Sequence, residues 1–161
     1  MKESEGNLIA VVRIRGEIGI NPDIRDCLNL MKLHRKHRLI LARNTSSMRG
    51  MINKVKDYCT FGEVDAETIE AILTKRGKLP GNKDLTEAYI KKVSKSDSKT
   101  FSKAMSEGKA NLKDLTGVKT FFKLHPPLGG FERMGIKKPY ARGGSLGYRG
   151  KKMSILVKKM I

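Results

Sequence analysis

The organisation of this chain is decided first by a stretch rich in β-branched residues, Leu8-Ile-Ala-Val-Val-Arg-Ile-Arg15. This composition predicts a strand, and side chains along a strand alternate between its two faces. One face is apolar throughout and carries Leu8, Ala10, Val12 and Ile14. The other begins with Ile9 and Val11 and ends with Arg13 and Arg15, so the second face turns polar toward the end of the strand.

A helix is predicted after the loop that follows this strand. Asn21-Pro22-Asp23 offers a capping amide, a proline for the first turn and an acid near the positive end of the helix dipole. Apolar residues then recur at helical spacing, namely Ile24, Cys27, Leu28 and Met31. We expect this helix to end in the basic cluster His34–Arg38 and a second strand to follow at Leu39–Ala42.

A second helix and a third strand complete the pattern of the first 64 residues. Asn44 to Ser47 supplies several candidate caps, and an apolar stripe follows at Met48, Met51, Ile52, Val55 and Tyr58. Gly50 costs this helix roughly 1 kcal/mol relative to alanine, which predicts a close approach to another backbone. With a short strand at Thr60–Val64, the order is β-α-β-α-β. It predicts a small two-layer sheet with both helices on one face, in the α+β class.

The rest of the chain divides into a helical part and a basic part. Between 65 and 117 we expect helices marked by Ile69, Ile72 and Leu73, by Leu85, Tyr89 and Val93, and by Phe101, Ala104 and Met105, with an exposed break at Ser94–Ser98. From Val118 we expect a strand at Lys119–Leu124, a stop at His125-Pro-Pro127 and a loop from Gly129 to Gly150. A C-terminal helix with the stripe Met153, Leu156, Val157 and Met160 closes the chain. The predicted segments are therefore 1–64, 65–117 and 118–161, the last packed back on the protein.

The charge of the chain points to a polyanionic partner. There are 34 Lys and Arg against 16 Asp and Glu, a net charge of +18, and the pI is near 10.1. Self-repulsion on this scale is costly, whereas contacts with phosphate release counterions, so nucleic acid is the leading partner. Residues 119–161 carry 11 basic residues and a single acid, Glu132. This concentration favours a directed contact surface over general solubility.

Other classes of protein find little support. No stretch approaches eighteen apolar residues, and the polar start Met1–Asn7 predicts no signal peptide. Cys27 and Cys59 have no metal-binding spacing, which favours a reduced intracellular protein. We therefore expect no membrane partner and no small-molecule substrate.

Catalytic and metal chemistry are also not expected. His34, His37 and His125 are too scattered for a catalytic site, and the basic neighbours of the first two disfavour a divalent cation. The sequence before Lys151 fails as a phosphate-binding loop, because Ser145 and Lys152 stand where glycine and a hydroxyl residue are required. We expect no enzyme activity, no metal and no cofactor.

The glycine-rich loop is the main candidate for RNA contact. Seven of the 16 glycines lie between Gly129 and Gly150, and both glycine entropy and like charges oppose the ordering of such a loop unless RNA is bound. The expected contacts in the C-terminal segment are His125, Arg133, Lys137, Lys138, Arg142, Arg149, Lys151 and Lys152. Tyr140 and Tyr148 either stack on unpaired bases or pin the loop to the core. Further expected contacts are Arg35, Lys36 and Arg38 after the first helix, and Arg49 and Lys54 on the second.

Two sets of motifs resemble a known family. Asn44-Thr-Ser-Ser-Met-Arg-Gly-Met-Ile-Asn-Lys-Val55, Asp57-Tyr58 and Phe61-Gly-Glu63 resemble the second helix and third strand of the L-thirty ribosomal protein family, and Val11–Gly16 is similar to its first strand and loop. Phe122-Lys-Leu-His-Pro-Pro-Leu-Gly-Gly-Phe131 and Leu146-Gly-Tyr-Arg-Gly150 resemble the C-terminal part of its long archaeal type, which is related to the eukaryotic L-seven protein. The similarity covers nearly the whole chain and is weakest at 94–111.

This resemblance implies a fold and a function. The fold is a ferredoxin-like β-α-β-α-β core with a helical insertion and a basic C-terminal extension. The function is that of a structural constituent of the large ribosomal subunit that binds 23S-type rRNA, contacts 5S rRNA and touches neighbouring ribosomal proteins.

Three alternatives remain open on the residues alone. A non-ribosomal RNA-binding protein or ribosome assembly factor has a similar charge. An RNA-modifying enzyme needs a nucleophile, a metal cluster or a cofactor cradle, and a DNA-compacting protein needs a repeated or dimeric basic unit. The sequence shows none of these last features.

Overall fold

One five-stranded sheet organises the part of the chain that the computed structural model describes, residues 8–94 and 96–161. The strands are β1 (Leu8–Arg13), β2 (Arg38–Arg43), β3 (Cys59–Glu63), β4 (Phe121–Lys123) and β5 (Gly147–Tyr148). The helices are α1 (Pro22–Leu30), α2 (Ser46–Val55), α3 (Ala66–Arg76), α4 (Glu87–Ser94), α5 (Ser98–Ser106) and α6 (Met153–Met160). The expectation about Met1–Asn7 lies outside the described residues.

The sheet has the strand order β4-β2-β1-β3-β5, with the first predicted strand at its centre. β1 runs antiparallel to both neighbours, so that Val11 pairs with Ile40 on one side and with Phe61 on the other. β2 and β3 therefore run parallel to each other, and α2 connects them across β1. This arrangement confirms the predicted ferredoxin-like β-α-β-α-β core. β4 and β5 then extend the sheet at its two edges.

Both faces of the sheet are covered, which explains why every residue of β1 is buried. Cys27 of α1 and Ile52 of α2 pack with Val11 on one face, which confirms the predicted placement of these helices. On the other face, Val12 joins a cluster that includes Ile69 of α3 and also residues of α5 and α6. The later helices therefore add a third layer to the two that were expected. This second cluster contains residues from all three predicted segments, so the segments share one hydrophobic core. The boundaries between the segments stay a prediction.

The first helix begins where the sequence predicted and ends earlier. The Asn21 side chain accepts a hydrogen bond from the Asp23 N–H at 3.0 Å. The helix ends at Leu30, because Lys32 adopts a left-handed conformation (φ 60°) and the Leu33 N–H bonds back to the Leu28 carbonyl at 2.8 Å. The basic cluster therefore lies on a turn between α1 and β2 and not on a helix.

The C-terminal elements follow the predicted pattern with shorter bounds. The strand expected at Lys119–Leu124 is reduced to β4, and the stripe expected on the last helix is buried at all four positions, Met153, Leu156, Val157 and Met160. The break expected at Ser94–Ser98 lies between α4 and α5, although Ser98 itself is buried. Lys95, within that break, is outside the described residues.

The explanation expected for Gly50 is wrong. Gly50 is exposed, and a Cβ atom built on it would meet no other atom within 4 Å. The close approach occurs instead at Gly62 of β3, where a Cβ would clash with the Gly150 carbonyl and lie 2.9 Å from the Met153 Cβ.

Gly50→Ala should therefore stabilise the protein, by about 0.5–1 kcal/mol, because alanine loses less backbone entropy on entering a helix. Urea unfolding followed by circular dichroism measures this change. Gly62→Ala is the matched control and should destabilise. A loss of stability in Gly50→Ala would contradict the open environment described for this position.

Candidate RNA interface

The first basic surface is the turn that joins α1 to β2. Arg35 and Lys36 are exposed on it, and Arg38 begins β2 with its guanidinium carbon 4.4 Å from the centre of the Phe121 ring. We call Arg35, Lys36 and Arg38 the turn surface. The structure brings these three predicted contacts together, and the pairing of Arg38 with Lys123 of β4 adds a further basic residue beside them.

Arg13, which is 1% exposed, stabilises this turn through hydrogen bonds to its backbone. Its guanidinium donates hydrogen bonds to the carbonyls of Leu33 at 2.7 Å and His34 at 2.8 Å, and to that of Gly16 at 3.0 Å. The His37 N–H donates in return to the Arg13 carbonyl at 2.8 Å. Arg13 therefore fixes the shape of the turn surface. The sequence placed it only on a polar strand end, and the one signal of its role is a charged residue inside an otherwise apolar stretch.

Two of the histidines lie at the same end of the molecule. The ring of His37 stacks with that of Phe131 at 6.1 Å, and the His37 carbonyl accepts the Leu124 N–H at 2.9 Å. Burial, followed by the nearby charge of Lys36, lowers the pKa of His37, which favours the neutral form of its ring. His125 is exposed, one residue after Leu124. The turn surface and the start of the basic loop are thus neighbours.

A partly buried ion pair closes the basic loop. The Glu132 carboxylate accepts hydrogen bonds from both terminal nitrogens of Arg149, at 2.9 Å for Nη2, and from the Ser145 hydroxyl at 2.7 Å. Arg149 is 6% exposed and also donates from Nε to the Thr60 hydroxyl at 3.1 Å. We call Glu132, Ser145 and Arg149 the loop clasp. Arg149 was predicted from the sequence as an RNA contact. In the structure its N–H groups donate to protein acceptors.

The electrostatics of the loop clasp favour the ionised acid. Burial alone would raise the pKa of Glu132, but the hydrogen bonds from Arg149 and Ser145 outweigh burial and lower this pKa to about 2. The carboxylate is therefore charged across the physiological range. In the sequence, Glu132 stood out only as the single acid among residues 119–161. That isolation was the one sequence signal that Glu132 pairs with a particular basic residue.

The loop folds back on itself above this clasp. The N–H groups of Ser145 and Leu146 donate to the Lys138 carbonyl at 3.0 and 3.2 Å, and the Tyr140 N–H donates to the Leu146 carbonyl at 2.7 Å. β5 then fixes the following residues to the sheet. The loop is therefore not an open extension, because hydrogen bonds tie it to itself and β5 ties it to the sheet.

Four predicted contacts are exposed on the outer part of the loop, and we call them the loop surface: Arg133, Lys137, Lys138 and Arg142. Lys151 and Lys152 are also exposed, at the start of the C-terminal helix. The two tyrosines have protein partners. The Tyr148 hydroxyl donates to Glu63 at 2.9 Å, and the Tyr140 ring centre lies 4.5 Å from the Arg149 guanidinium carbon. These contacts favour the alternative in which the tyrosines pin the loop.

The last predicted pair lies on α2. Lys54 is exposed in its final turn, and Arg49 is partly buried and donates from Nε to the Asn44 side chain at 3.0 Å. Lys54 lines a groove between α1 and α2 together with Asp23 and Asp26. The acids make this groove less favourable for phosphate than the loop surface.

The sequence did not predict one further feature, a cleft of about 580 Å³ between the core and the basic loop. We call it the junction cleft; its lining residues are Arg15, Ile24, Lys56, Asp57, Tyr58, Lys137, Pro139, Leu146 and Gly147. The guanidinium carbon of Arg15 lies 4.8 Å from the centre of the Tyr58 ring. Both side chains had been assigned only to a strand face and a helix stripe. They meet because the Tyr58 carbonyl accepts the N–H groups of Ile14 and Arg15.

Comparison with known proteins decides the family. The chain is 45% identical over 149 residues to the large ribosomal subunit protein uL30 of Methanopyrus kandleri, covering 92% of this chain and all of that protein. It is 44% identical to the protein of the same name from Nanoarchaeum equitans, over 96% of this chain and 99% of the relative. The relative from Staphylothermus marinus is 42% identical over 96% of this chain and 99% of its own length.

The chain belongs to the uL30 family. A family model described as ribosomal protein L30p/L7e also matches residues 9–59, which extend from β1 to the start of β3. The resemblance to the L-thirty family is thereby confirmed. The uL30 family consists of structural ribosomal proteins and not of enzymes, which confirms the prediction that this chain is not an enzyme.

Three further observations concern metal sites, membrane segments and the two cysteines. Within residues 8–94 and 96–161, no group of three or more His, Cys, Asp or Glu side chains is placed to hold a metal ion. In the same ranges no helix has the length and apolar character needed to cross a membrane. Cys27 and Cys59 are free and buried, and burial raises the pKa of Cys59 to about 12, so this thiol stays protonated.

Proposed function

We propose that this uL30-family chain is a structural constituent of the large subunit of the cytoplasmic ribosome and binds 23S-type rRNA through the loop surface and the turn surface. The observation that carries the proposal is the arrangement of the basic loop. Its single acid is turned inward to Arg149, while Arg133, Lys137, Lys138 and Arg142 are exposed. The relatives are named as large ribosomal subunit proteins, which supports the assignment to the large subunit.

The physical basis of this binding is phosphate neutralisation. Exposed Lys and Arg side chains replace counterions on the RNA backbone, and the released ions favour the complex. A loop that is clasped from inside presents its cations without losing the full entropy of a disordered segment on binding. The net charge of +18 makes the free protein self-repelling, and rRNA removes that repulsion.

We further propose a contact with 5S rRNA and with neighbouring ribosomal proteins. This part rests on the similarity of Phe122–Phe131 and Leu146–Gly150 to the long archaeal type of the family. A gel-shift titration with 5S rRNA alone, and one with 5S rRNA already assembled on the subunit, measures the contact. Equal mobility with and without the protein in both titrations would contradict it.

The assignment to the subunit is tested by fractionation. In a magnesium-containing buffer at moderate salt, the protein should sediment with the large-subunit peak. Its absence from that peak would overturn the proposed function.

Neutralising three of the four residues of the loop surface should weaken the affinity for rRNA roughly 10–100-fold. In the triple variant Lys137→Gln, Lys138→Gln and Arg142→Gln, up to three phosphate contacts are lost, and the slope of log K against log salt should fall by about one unit for each lost contact. Fluorescence anisotropy with labelled rRNA at several salt concentrations measures both quantities. Stability should change little, because the three side chains are exposed.

The matched control removes the same charge elsewhere. Lys92, Lys99 and Lys103 are exposed on α4 and α5, and their glutamine variants should bind almost as well as the wild type. An equal loss in both triple variants would mean that net charge and not the loop surface directs binding. Deleting residues 132–150 is a less clear test, because it also removes the loop clasp and β5.

A further inference from the structure

We propose that the junction cleft holds one unpaired nucleotide of the bound RNA, with its base stacked on the Arg15 guanidinium and its phosphates beside Lys56 and Lys137. This inference rests on the proposed RNA-binding function and specifies the form of RNA that part of the surface accepts. It also gives a role to the contact between Arg15 and Tyr58. Neither the charge pattern nor the helical spacing of the sequence explains why these two side chains meet.

The cleft is formed by three separate parts of the chain. Arg15 comes from the end of the first strand region, Lys56 to Tyr58 from the turn between α2 and β3, and Lys137 with Gly147 from the basic loop. Its volume of about 580 Å³ lies within the range of roughly 300–1,000 Å³ that small-ligand pockets occupy. The loop is therefore one wall of a concave site as well as an exposed basic surface.

Arg15 supplies a flat and oriented surface within this cleft. Its guanidinium lies over the Tyr58 ring, and its Nη1 donates to the Asp57 carbonyl at 3.1 Å. These two contacts fix the plane of the guanidinium before any ligand arrives. RNA-binding proteins stack unpaired bases on arginine planes as well as on aromatic rings. The apolar lining from Ile24, Pro139 and Leu146 suits the faces and edges of a base.

The charges of the cleft suit the sugar–phosphate backbone. Arg15, Lys56 and Lys137 face a single acid, Asp57, among the lining residues. Lys137 belongs to the loop surface as well, so a strand that leaves the cleft meets the remaining cations of the loop directly. A base in the cleft and its phosphates on the loop are thus parts of one continuous path.

The concave shape favours an unpaired nucleotide over a duplex. Bases in an A-form helix are stacked inside and expose a major groove too deep and narrow for side chains, so a duplex offers nothing that enters a cleft. A nucleotide turned out of a loop or bulge presents its base to solvent and fits between the Arg15 plane and the loop wall.

The first test uses the affinity of the full chain for large-subunit rRNA. Arg15→Lys keeps the charge but loses the stacking plane, and it should weaken binding about tenfold, the expectation for one stacked base. Arg35→Lys makes the same exchange on the turn surface, where phosphate contact needs only charge, and should change affinity less than about twofold. Equal effects of the two exchanges would overturn the cleft proposal.

The second test locates the nucleotide. A single-stranded oligouridylate should shift the backbone NMR signals of residues 15, 56–58 and 146–147 of the cleft. A blunt RNA duplex can still contact Lys137 and Lys138 of the loop surface through its phosphates, but it should leave the signals of those cleft residues in place. Shifts of these cleft residues with both probes, or with neither, would overturn the proposal. If wild-type protein fails to bind rRNA at all, the proposed function fails; if it binds and Arg15→Lys binds equally well, only the cleft assignment fails.

Discussion

Arg149→Met should lower the free energy of unfolding by about 3 kcal/mol. The substitution keeps much of the length of the side chain but removes the partner of the Glu132 carboxylate and the hydrogen bonds to Thr60 and to the Ser145 carbonyl. Breaking a buried ion pair from one side costs about 3–5 kcal/mol, because a charge is left without compensation. The lower end of this range applies, since the Glu132 side chain is 27% exposed and water can solvate it in part.

Urea unfolding measures this loss, and Arg142→Met is the matched control. Arg142 lies in the same loop with an exposed side chain, so its replacement should change the free energy by no more than about 0.5 kcal/mol. The double variant Glu132→Gln with Arg149→Met should regain part of the lost stability, because no buried charge then remains. If Arg149→Met is as stable as Arg142→Met, the loop clasp does not hold the loop.

The pH dependence of stability identifies the same contact. The folded-state pKa of Glu132, about 2, lies below the ordinary value of 4.5, so the folded protein binds its proton less readily than the unfolded chain does. The clasp therefore contributes fully above pH 4.5, and this contribution is lost as the pH falls from 4.5 toward 2. Between these two values the wild type should lose more stability than the double variant. Parallel curves for the two proteins would contradict the lowered pKa.

Arg13→Met should lower the free energy of unfolding by about 4 kcal/mol, more than Arg149→Met. Arg13 is buried at the centre of the hydrogen bonds that join β1 to the turn surface, and its removal leaves the carbonyls of Leu33, His34 and Gly16 without their donor. A buried acceptor that loses its partner costs about 1–3 kcal/mol. The bond to Leu33 is buried, and those to His34 and Gly16 are partly buried and cost less. The turn surface should also lose its fixed shape, so rRNA binding should weaken even though Arg35 and Lys36 are intact.

Chemical denaturation measures the stability change, with Arg25→Met as the control, because the Arg25 side chain is exposed on α1. Arg13→Lys separates charge from geometry, because a single ammonium cannot reach three carbonyls on different parts of the chain. It should recover only a small part of the lost stability. Near-wild-type stability of the lysine variant would show that the buried charge, and not the fork of donors, is what the turn requires.

Much of the fold could be predicted because local chemistry agrees with the final structure. The capping amide and proline at Asn21-Pro22 place the start of α1, and the spacing of Met153, Leu156, Val157 and Met160 predicts the buried face of α6. Alternating and helical periods reflect which face is buried, and burial is what the tertiary structure preserves. These elements could therefore be predicted without knowing which other elements they pack against.

The details of the interface depend on pairings that no local pattern contains. Arg142 and Arg149 are the same residue type in the same loop, but only Arg149 reaches Glu132, 17 positions earlier. Likewise, nothing in the sequence distinguishes the steric surroundings of Gly50 from those of Gly62. Only the packing of Gly150 and Met153 in the structure shows that Gly62 has no room for a side chain. The junction cleft joins residues more than a hundred positions apart, so its members could not be grouped from the sequence.

The placement of β4 and β5 at the two edges of the sheet has a consequence for the order in which the protein is made. While the chain is being synthesised, β1, β2 and β3 leave the exit tunnel long before residues 121–148, so β2 and β3 are uncovered edge strands during that interval. Exposed edges pair readily with other chains, and natural proteins cover them. The nascent protein is therefore most prone to aggregate before its last segment emerges, and that segment both binds to the finished sheet and protects it.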